Sequence, residues 1–222
     1  MAGQDPAHPV IAGGQLFLRD NNRLFCYDVR EDALKTPRPD PKSIGLSIPP
    51  AESQEKDRIG LRSVFVPTPQ DVVEKMLELA GVGEKDLVYD LGSGDGRIVI
   101  AAAKRYGCRA VGYEIDRELV ELSRGNVGKA GAERLVTIEQ KDVFTLDVSQ
   151  ADVIAVYLLP KQLEKLIPQL EKLKPGSRIV SHQFEIPGIK PAKVIVADSE
   201  EDGDKHTLYL WTMPLKMVDG KE

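Results

Sequence analysis

LVYDLGSGDGRIVIAAAKR, Leu87 to Arg105, is the stretch that decides how the chain folds. It opens as a short apolar run ending at Asp90, which reads as a buried strand, and closes as an alanine-rich amphipathic helix. Between them stand Gly92, Gly94 and Gly96, one at every second position. Glycine enters positive φ without steric cost and lets a backbone come close to a ligand, so this strand-to-helix turn reads as a cradle.

The flanking sequence repeats the alternation. Strand patterns DLVYDL, RAVGYEI, VTIEQKD, ADVIAVYLL and SRIVSHQF are interleaved with helix patterns TPQDVVEKMLELAG, GRIVIAAAKRYG, RELVELSRGNVGKAG and KQLEKLIPQLEKL. The tail AKVIVADSEEDGDKHTLYLWTMPL reads as two strands around an acidic turn. Such alternation predicts an α/β fold, a doubly wound, mostly parallel, seven-stranded Rossmann-like sheet closed by a C-terminal antiparallel hairpin. At the first helix, Thr68 is expected as N-cap, Pro69 at the first helical position and Asp71 in the capping-box place, with Gly81 as the stop.

In sheets of this kind ligands sit beyond the carboxyl ends of the strands. A dinucleotide fingerprint requires G-x-G-x-x-G, and the spacing here differs. Asp90 and Asp95 would also repel a pyrophosphate. A ligand with an ammonium group and a single carboxylate suits the loop better: Asp90 meets the amine, and free amides at the helix start meet the carboxylate. S-adenosylmethionine (SAM) is such a ligand. Glu114, about twenty residues on in GYEID, is placed to bind ribose hydroxyls. Asp142, in KDVF at the third strand end, is placed to accept from an adenine amino group, with Val143 packing on the ring. The cofactor set is therefore Asp90, Gly92, Gly94, Gly96, Glu114, Asp142 and Val143, with Thr68 and Pro69 bringing the first helix over it as a lid.

YDLGSGDG, GYEID and KDVF together resemble the class I, seven-β-strand, SAM-dependent methyltransferases. VFVPTPQDVVEKMLELA, VYLLP and LKPGSRIVSHQFEIPG narrow the resemblance to the ATP synthase c-subunit and adenine-nucleotide-translocase lysine methyltransferases and their bacterial relatives. YDLGSGDGRIVI is also similar to the non-SET histone lysine methyltransferases. The resemblance runs from about Val64 to Pro214. It implies SAM contacts at Asp90, Gly92, Glu114 and Asp142, and N-methylation of a protein lysine. The apolar segment that mitochondrial members carry before VPTP is missing from this sequence, which puts a membrane-embedded target in doubt.

Tyr157 ends the fourth strand, facing the methyl in this fold. It either orients the acceptor amine, with the backbone of Leu158 to Pro160, or packs beneath the cofactor. His182 ends the fifth strand as a base, a substrate contact or a structural group. His8 and His206 lie elsewhere in the pattern and carry no role. The acidic run Asp198, Glu200, Glu201, Asp202 and Asp204 reads first as a solvated hairpin tip, and second as a surface that attracts a lysine-rich partner. Tyr209 and Trp211 read as sheet packing.

Thirty Lys and Arg against thirty-five Asp and Glu give a net charge of -5, which argues against a nucleic-acid partner held by a basic surface. Cys26 and Cys108 match no metal or redox spacing, no apolar run spans a membrane, and the first ten residues lack a signal-peptide pattern. A cytoplasmic enzyme with a protein or small-molecule acceptor is expected. Residues 1–33 read as a β-hairpin appendage, QLFLR and RLFCYDV around an Asp/Asn turn, similar to a fragment of a pyrroloquinoline-quinone-type propeller repeat. Residues 34–62 read as a Pro-rich linker, and 63–222 as the methyltransferase domain. A small-molecule methyltransferase and a non-catalytic SAM-binding module remain as alternatives. An NAD enzyme is the weakest reading, because of the glycine spacing.

Overall fold

The computed structural model describes residues 65–218, together with the backbone of 10–12, 15–20 and 23–28. The chain divides into two units, Met1–Arg62 and Ser63–Glu222. In the first, β1 (Val10–Ala12), β2 (Gln15–Asp20) and β3 (Arg23–Asp28) form an antiparallel sheet in the order β1-β2-β3. Asp20 pairs with Arg23 and Leu18 with Phe25, the register of the expected hairpin. The additional strand β1 was not apparent in the sequence pattern, because three residues are too few to show a period of two. The expected linker lies outside the described residues.

The second unit holds α1 (Gln70–Leu79), β4 (Leu87–Leu91), α2 (Arg97–Tyr106), β5 (Arg109–Glu114), α3 (Arg117–Ala130), β6 (Val136–Gln140), β7 (Val153–Val156), α4 (Pro160–Leu170), β8 (Arg178–His182), β9 (Lys193–Asp198) and β10 (Lys205–Thr212). Its seven strands run in the order β6-β5-β4-β7-β8-β10-β9. The first five are parallel, and β10 is antiparallel to both of its neighbours. The C-terminal hairpin thus folds back so that its second strand joins the sheet and β9 becomes the edge. The order reverses at β4, so the glycine turn after β4 sits at the switch point where ligands bind.

Alternation along each strand sends successive side chains to opposite faces. Val88, Val153, Ala155, Val180 and Leu208 join the core under α1, α2 and α3. Tyr89, Leu91, Ile154, Val156, Ile179 and Trp211 join a second core under α4. Trp211 is fully enclosed and donates Nε1–H to the Ile189 carbonyl (3.2 Å), consistent with sheet packing. Gly81 closes α1 at φ 59°, the left-handed stop its type predicted.

Packing of the glycine turn against β5 leaves one position without room for a side chain. A Cβ at Gly112 would lie 2.7 Å from Ser93 Oγ and 2.8 Å from Ile138 Cδ1. Gly112→Ala is therefore expected to destabilise the unit by about 1–3 kcal/mol, a fall in Tm of roughly 3–10 °C. Adding Ser93→Gly should recover part of the loss in a calorimetric scan. A single Gly112→Ala variant with the wild-type Tm would contradict this packing.

Candidate active site

All three glycines of the cradle adopt left-handed backbone: φ is 86° at Gly92, 53° at Gly94 and 82° at Gly96. An L-residue rarely holds such angles, so the spacing of two is a backbone requirement. The amides of Gly92 and Ser93 both donate to the Tyr113 carbonyl (2.9 and 3.0 Å), folding the turn against β5. Asp90, the residue before Leu91, is 2% exposed. Its Oδ2 and the nearby Ser93 Oγ are buried without a hydrogen-bond partner among the described residues. Burial, with the carboxylates of Glu114 and Asp95 adding to it, pushes the Asp90 carboxyl up to about 8.

Glu114 ends β5, 8% exposed. Its Oε2 accepts from Gly94 N–H (2.9 Å), and its Oε1 accepts from the amides of Ile115 (2.8 Å) and Asp116 (3.0 Å). Three amides thus fix the carboxylate over the glycine loop. They leave about one of its four lone-pair directions for a ligand. Beyond β6, Asp142 accepts from Phe144 N–H through Oδ1 (2.9 Å) and starts a single 3₁₀ turn, Val143–Thr145. Gln169 on α4 donates Nε2–H to the carbonyls of Val143 and Leu146, 3.1 Å each, and anchors that turn. Gln169 has no motif to announce it; a polar residue on an otherwise apolar helix face was the available signal.

The segment before α1 crosses the loop. The Phe65 ring occupies the space that a Cβ at Gly94 would take. The N-cap of α1 is Pro69, with no side-chain cap. This corrects the expectation for Thr68, whose hydroxyl lies 3.0 Å from His182 Nδ1 instead. A stronger partner across the fold took the group that local capping would have used. Asp71 likewise departs from the capping box: it accepts from Ser199 Oγ (2.9 Å) and Glu200 N–H (2.7 Å) in the β9–β10 turn. Arg97 Nη1 donates to the Thr68 carbonyl (2.7 Å), while its Nη2 pairs with Asp95 (2.7 Å), tying the crossing segment to the loop. The sequence reading passed over Arg97. A cation at the first position of a helix opposes the helix dipole, and that misfit was the signal.

Across the cleft stand Tyr157, one residue past β7, and His182, at the end of β8. Their ring centroids are 4.1 Å apart, and Phe184 stacks on Tyr157 at 6.2 Å. His182 is 2% exposed, and burial, with His206 adding to it against the pull of Asp202, pushes its pKa down to about 3. Its Nε2 lies 2.8 Å from His206 Nδ1, and His206 Nε2 lies 3.1 Å from Asp202 Oδ2. His206 and Asp202 were given no role by the sequence reading. Their approach depends on the antiparallel register of β10 on β8, Leu208 opposite His182, which short-range pattern does not encode. The acidic turn is also more than a solvated tip, since it is bonded to the start of α1.

The arrangement sets an acidic cradle at the ends of β4 and β5 beside a neutral aromatic cluster, Tyr157, His182 and Phe184, beyond the ends of β7 and β8. An orphaned buried carboxyl at the cradle calls for an ammonium group, and the left-handed glycines allow close approach; both suit SAM. A buried acid with a raised pKa lowers stability as pH climbs from its unfolded value near 4 to its folded value near 8. Asp90→Asn is therefore expected to raise the ligand-free Tm at pH 8 and to leave it near wild type at pH 4. Equal shifts at both pH values would contradict the burial argument.

A family model, the ANTKMT methyltransferase domain, matches residues 90–193. A protein-lysine N-methyltransferase of Saccharolobus islandicus (strain REY15A) is 47% identical over 67% of this chain and 92% of its own length. The adenine nucleotide translocase lysine N-methyltransferase of Mus musculus is 38% identical, and the match covers 55% of this chain and about half (54%) of that protein. A solved structure titled as an RNA methyltransferase from Salinibacter ruber, in complex with S-adenosylhomocysteine, is 46% identical at a TM-score of 0.64, covering 70% of this chain and 98% of that one. The chain belongs to the family of SAM-dependent methyltransferases that contains the Saccharolobus protein-lysine N-methyltransferase.

Proposed function

We propose that this enzyme methylates a lysine side chain of a protein. The observation that carries the acceptor assignment is the 47% identity across 92% of the Saccharolobus protein-lysine N-methyltransferase. The neutral aromatic wall of Tyr157, His182 and Phe184 supports it, because a lysine stem packs on apolar rings and its cationic head meets no positive charge there.

Bound SAM supplies an electrophilic methyl group on a sulfonium. Asp90 holds the ammonium end of the cofactor, and pairing returns this carboxyl to its charged form. Glu114 takes a ribose hydroxyl on its remaining lone pair. Asp142 and Val143 take the adenine edge and face. Phe65 and the crossing segment, tied to the loop by Arg97, would shield the cofactor. Tyr157 and the backbone after it hold the amine in line with the methyl. Such orientation supplies up to about 7–11 kcal/mol of the rate enhancement. At pH 7 a free lysine, pKa about 10.4, needs about 4–5 kcal/mol to lose its proton. The acceptor side must therefore desolvate the ammonium and offer it an acceptor.

The Salinibacter relative, titled an RNA methyltransferase, supports a second reading in which RNA is the acceptor. The net charge of -5 and the acidic β9–β10 turn weigh against it.

Labelled-methyl transfer from SAM to protein and RNA fractions, followed by hydrolysis to amino acids and nucleosides, separates the two. Methyl-lysine is expected, and label confined to nucleosides would overturn the lysine reading. Glu114→Ala should weaken S-adenosylhomocysteine binding at least tenfold by calorimetry. Tyr157→Phe should lower kcat more than it changes that affinity. Unchanged binding in the first, or unchanged kcat in the second, would remove the role given to that residue.

A further inference from the structure

We infer that Thr68, His182, His206 and Asp202 form a proton relay that carries the acceptor's proton out of the cleft to solvent. It deepens the lysine reading above and rests on it.

The four groups are contiguous at hydrogen-bond distance: Thr68 Oγ1 to His182 Nδ1 at 3.0 Å, His182 Nε2 to His206 Nδ1 at 2.8 Å, and His206 Nε2 to Asp202 at 3.1–3.2 Å. They come from the crossing segment, β8, β10 and the β9–β10 turn, so no local motif assembles them. The inner end is closed and the outer end open. Thr68 is 4% and His182 2% exposed, whereas the side chains of His206 and Asp202 are 12% and 39% exposed. Thr68 stands between the two halves of the site. Its carbonyl is tied through Arg97 to Asp95 of the glycine loop, and its hydroxyl faces His182, against which Tyr157 packs.

Donor and acceptor roles follow from the outer end. Burial pushes the Asp202 carboxyl up, but the Asp204 amide and the His206 ring outweigh it and hold it below the usual carboxylate range. Ionised, Asp202 only accepts, so His206 carries its proton on Nε2. In the relay His206 holds only that proton and accepts at Nδ1, so His182 carries its proton on Nε2, and His182 Nδ1 accepts from the Thr68 hydroxyl. Every hydrogen bond points outward, and the Thr68 oxygen keeps lone pairs for an ammonium N–H.

The transfer balances. The ammonium gives a proton to Thr68 Oγ1 and keeps the N–H electron pair as the lone pair that attacks the methyl carbon, while the carbon–sulfur pair stays on sulfur. The Thr68 proton passes to His182 Nδ1, the His182 Nε2 proton to His206 Nδ1, and the His206 Nε2 proton to Asp202 and water. When the product leaves and the cleft fills with water, a proton moves inward along the same chain into that water and restores the starting tautomers. Among the acids near the relay, Asp95 pairs with Arg97, Asp198 with Lys205 (2.5 Å) and Glu201 with the Gln70 amide (2.5 Å), Glu200 and Asp204 lie in the same turn, and Asp202 is the carboxylate at hydrogen-bond distance from His206. Asp202 is thus the carboxylate that takes the proton.

Two measurements on the full chain test the relay. Imidazole ¹⁵N NMR of the S-adenosylhomocysteine complex should show His182 protonated at Nε2 and bare at Nδ1; a proton on Nδ1 would overturn the proposal. With SAM saturating and poly-L-lysine, or the protein fraction labelled by the wild type, as acceptor, His206→Ala should lower kcat about 10–100-fold near pH 7. Its S-adenosylhomocysteine affinity should stay within about twofold. The loss should shrink as pH rises toward the lysine pKa, and added imidazole should restore part of it. Thr68→Val should lower kcat to a similar extent, and Thr68→Ser should keep most of the rate. A His206→Ala enzyme with the wild-type kcat and pH profile would overturn the relay. Should the wild type label no lysine in any fraction, the lysine reading fails, while the NMR result still decides how the four groups are bonded.

Discussion

A carboxyl group buried without a partner is the constraint on which the cradle depends. Asp90 sits at the carboxyl end of the central strand β4, with Oδ2 buried and without a donor among the described residues. Burying a charge costs several kcal/mol, so burial favours the neutral form of this group, and a cation delivered to it favours the charged form. The left-handed glycines, the close fit of Ser93 on Gly112, and the three amides on Glu114 all hold the backbone so that such a cation can approach. The cofactor half of the site is rigid because it is built from backbone at the ends of paired strands.

Across the cleft the electrostatic problem has the opposite sign. Ligand and acceptor are both cationic, and a charged imidazolium about 4 Å away would repel either by about 4 kcal/mol at an effective dielectric of 20. Burial removes that repulsion by keeping His182 neutral. One fold therefore raises an acid at one strand end and lowers a base at another by the same means, exclusion of water.

Legibility in the sequence followed the range of the interactions. The α/β alternation, the closing hairpin and the cradle were readable because alternation, glycine spacing and an acid at the end of each of three strands are local patterns. Glu114 and Asp142 stand where those patterns put them, at the ends of β5 and β6. Thr68 was misread as a cap because its partner, His182, is 114 residues away. Asp71 was misread for the same reason, its partners being Ser199 and Glu200. His206 and Asp202 gained meaning only from the register of β10 on β8. Arg97 was hidden in plain view, inside the motif but outside its glycines.

These long-range pairs share a location. Asp71, Gln70 and Thr68 at the start of α1 are bonded to Ser199, Glu200, Glu201 and His182, so the β9–β10 turn and the crossing segment form one contact layer. The segment that crosses the glycine loop also carries Thr68, the inner end of the histidine chain. Thr68 is held at its carbonyl by Arg97, at the start of α2, and at its hydroxyl by His182, at the end of β8, so a disturbance on either side reaches the other through this one residue.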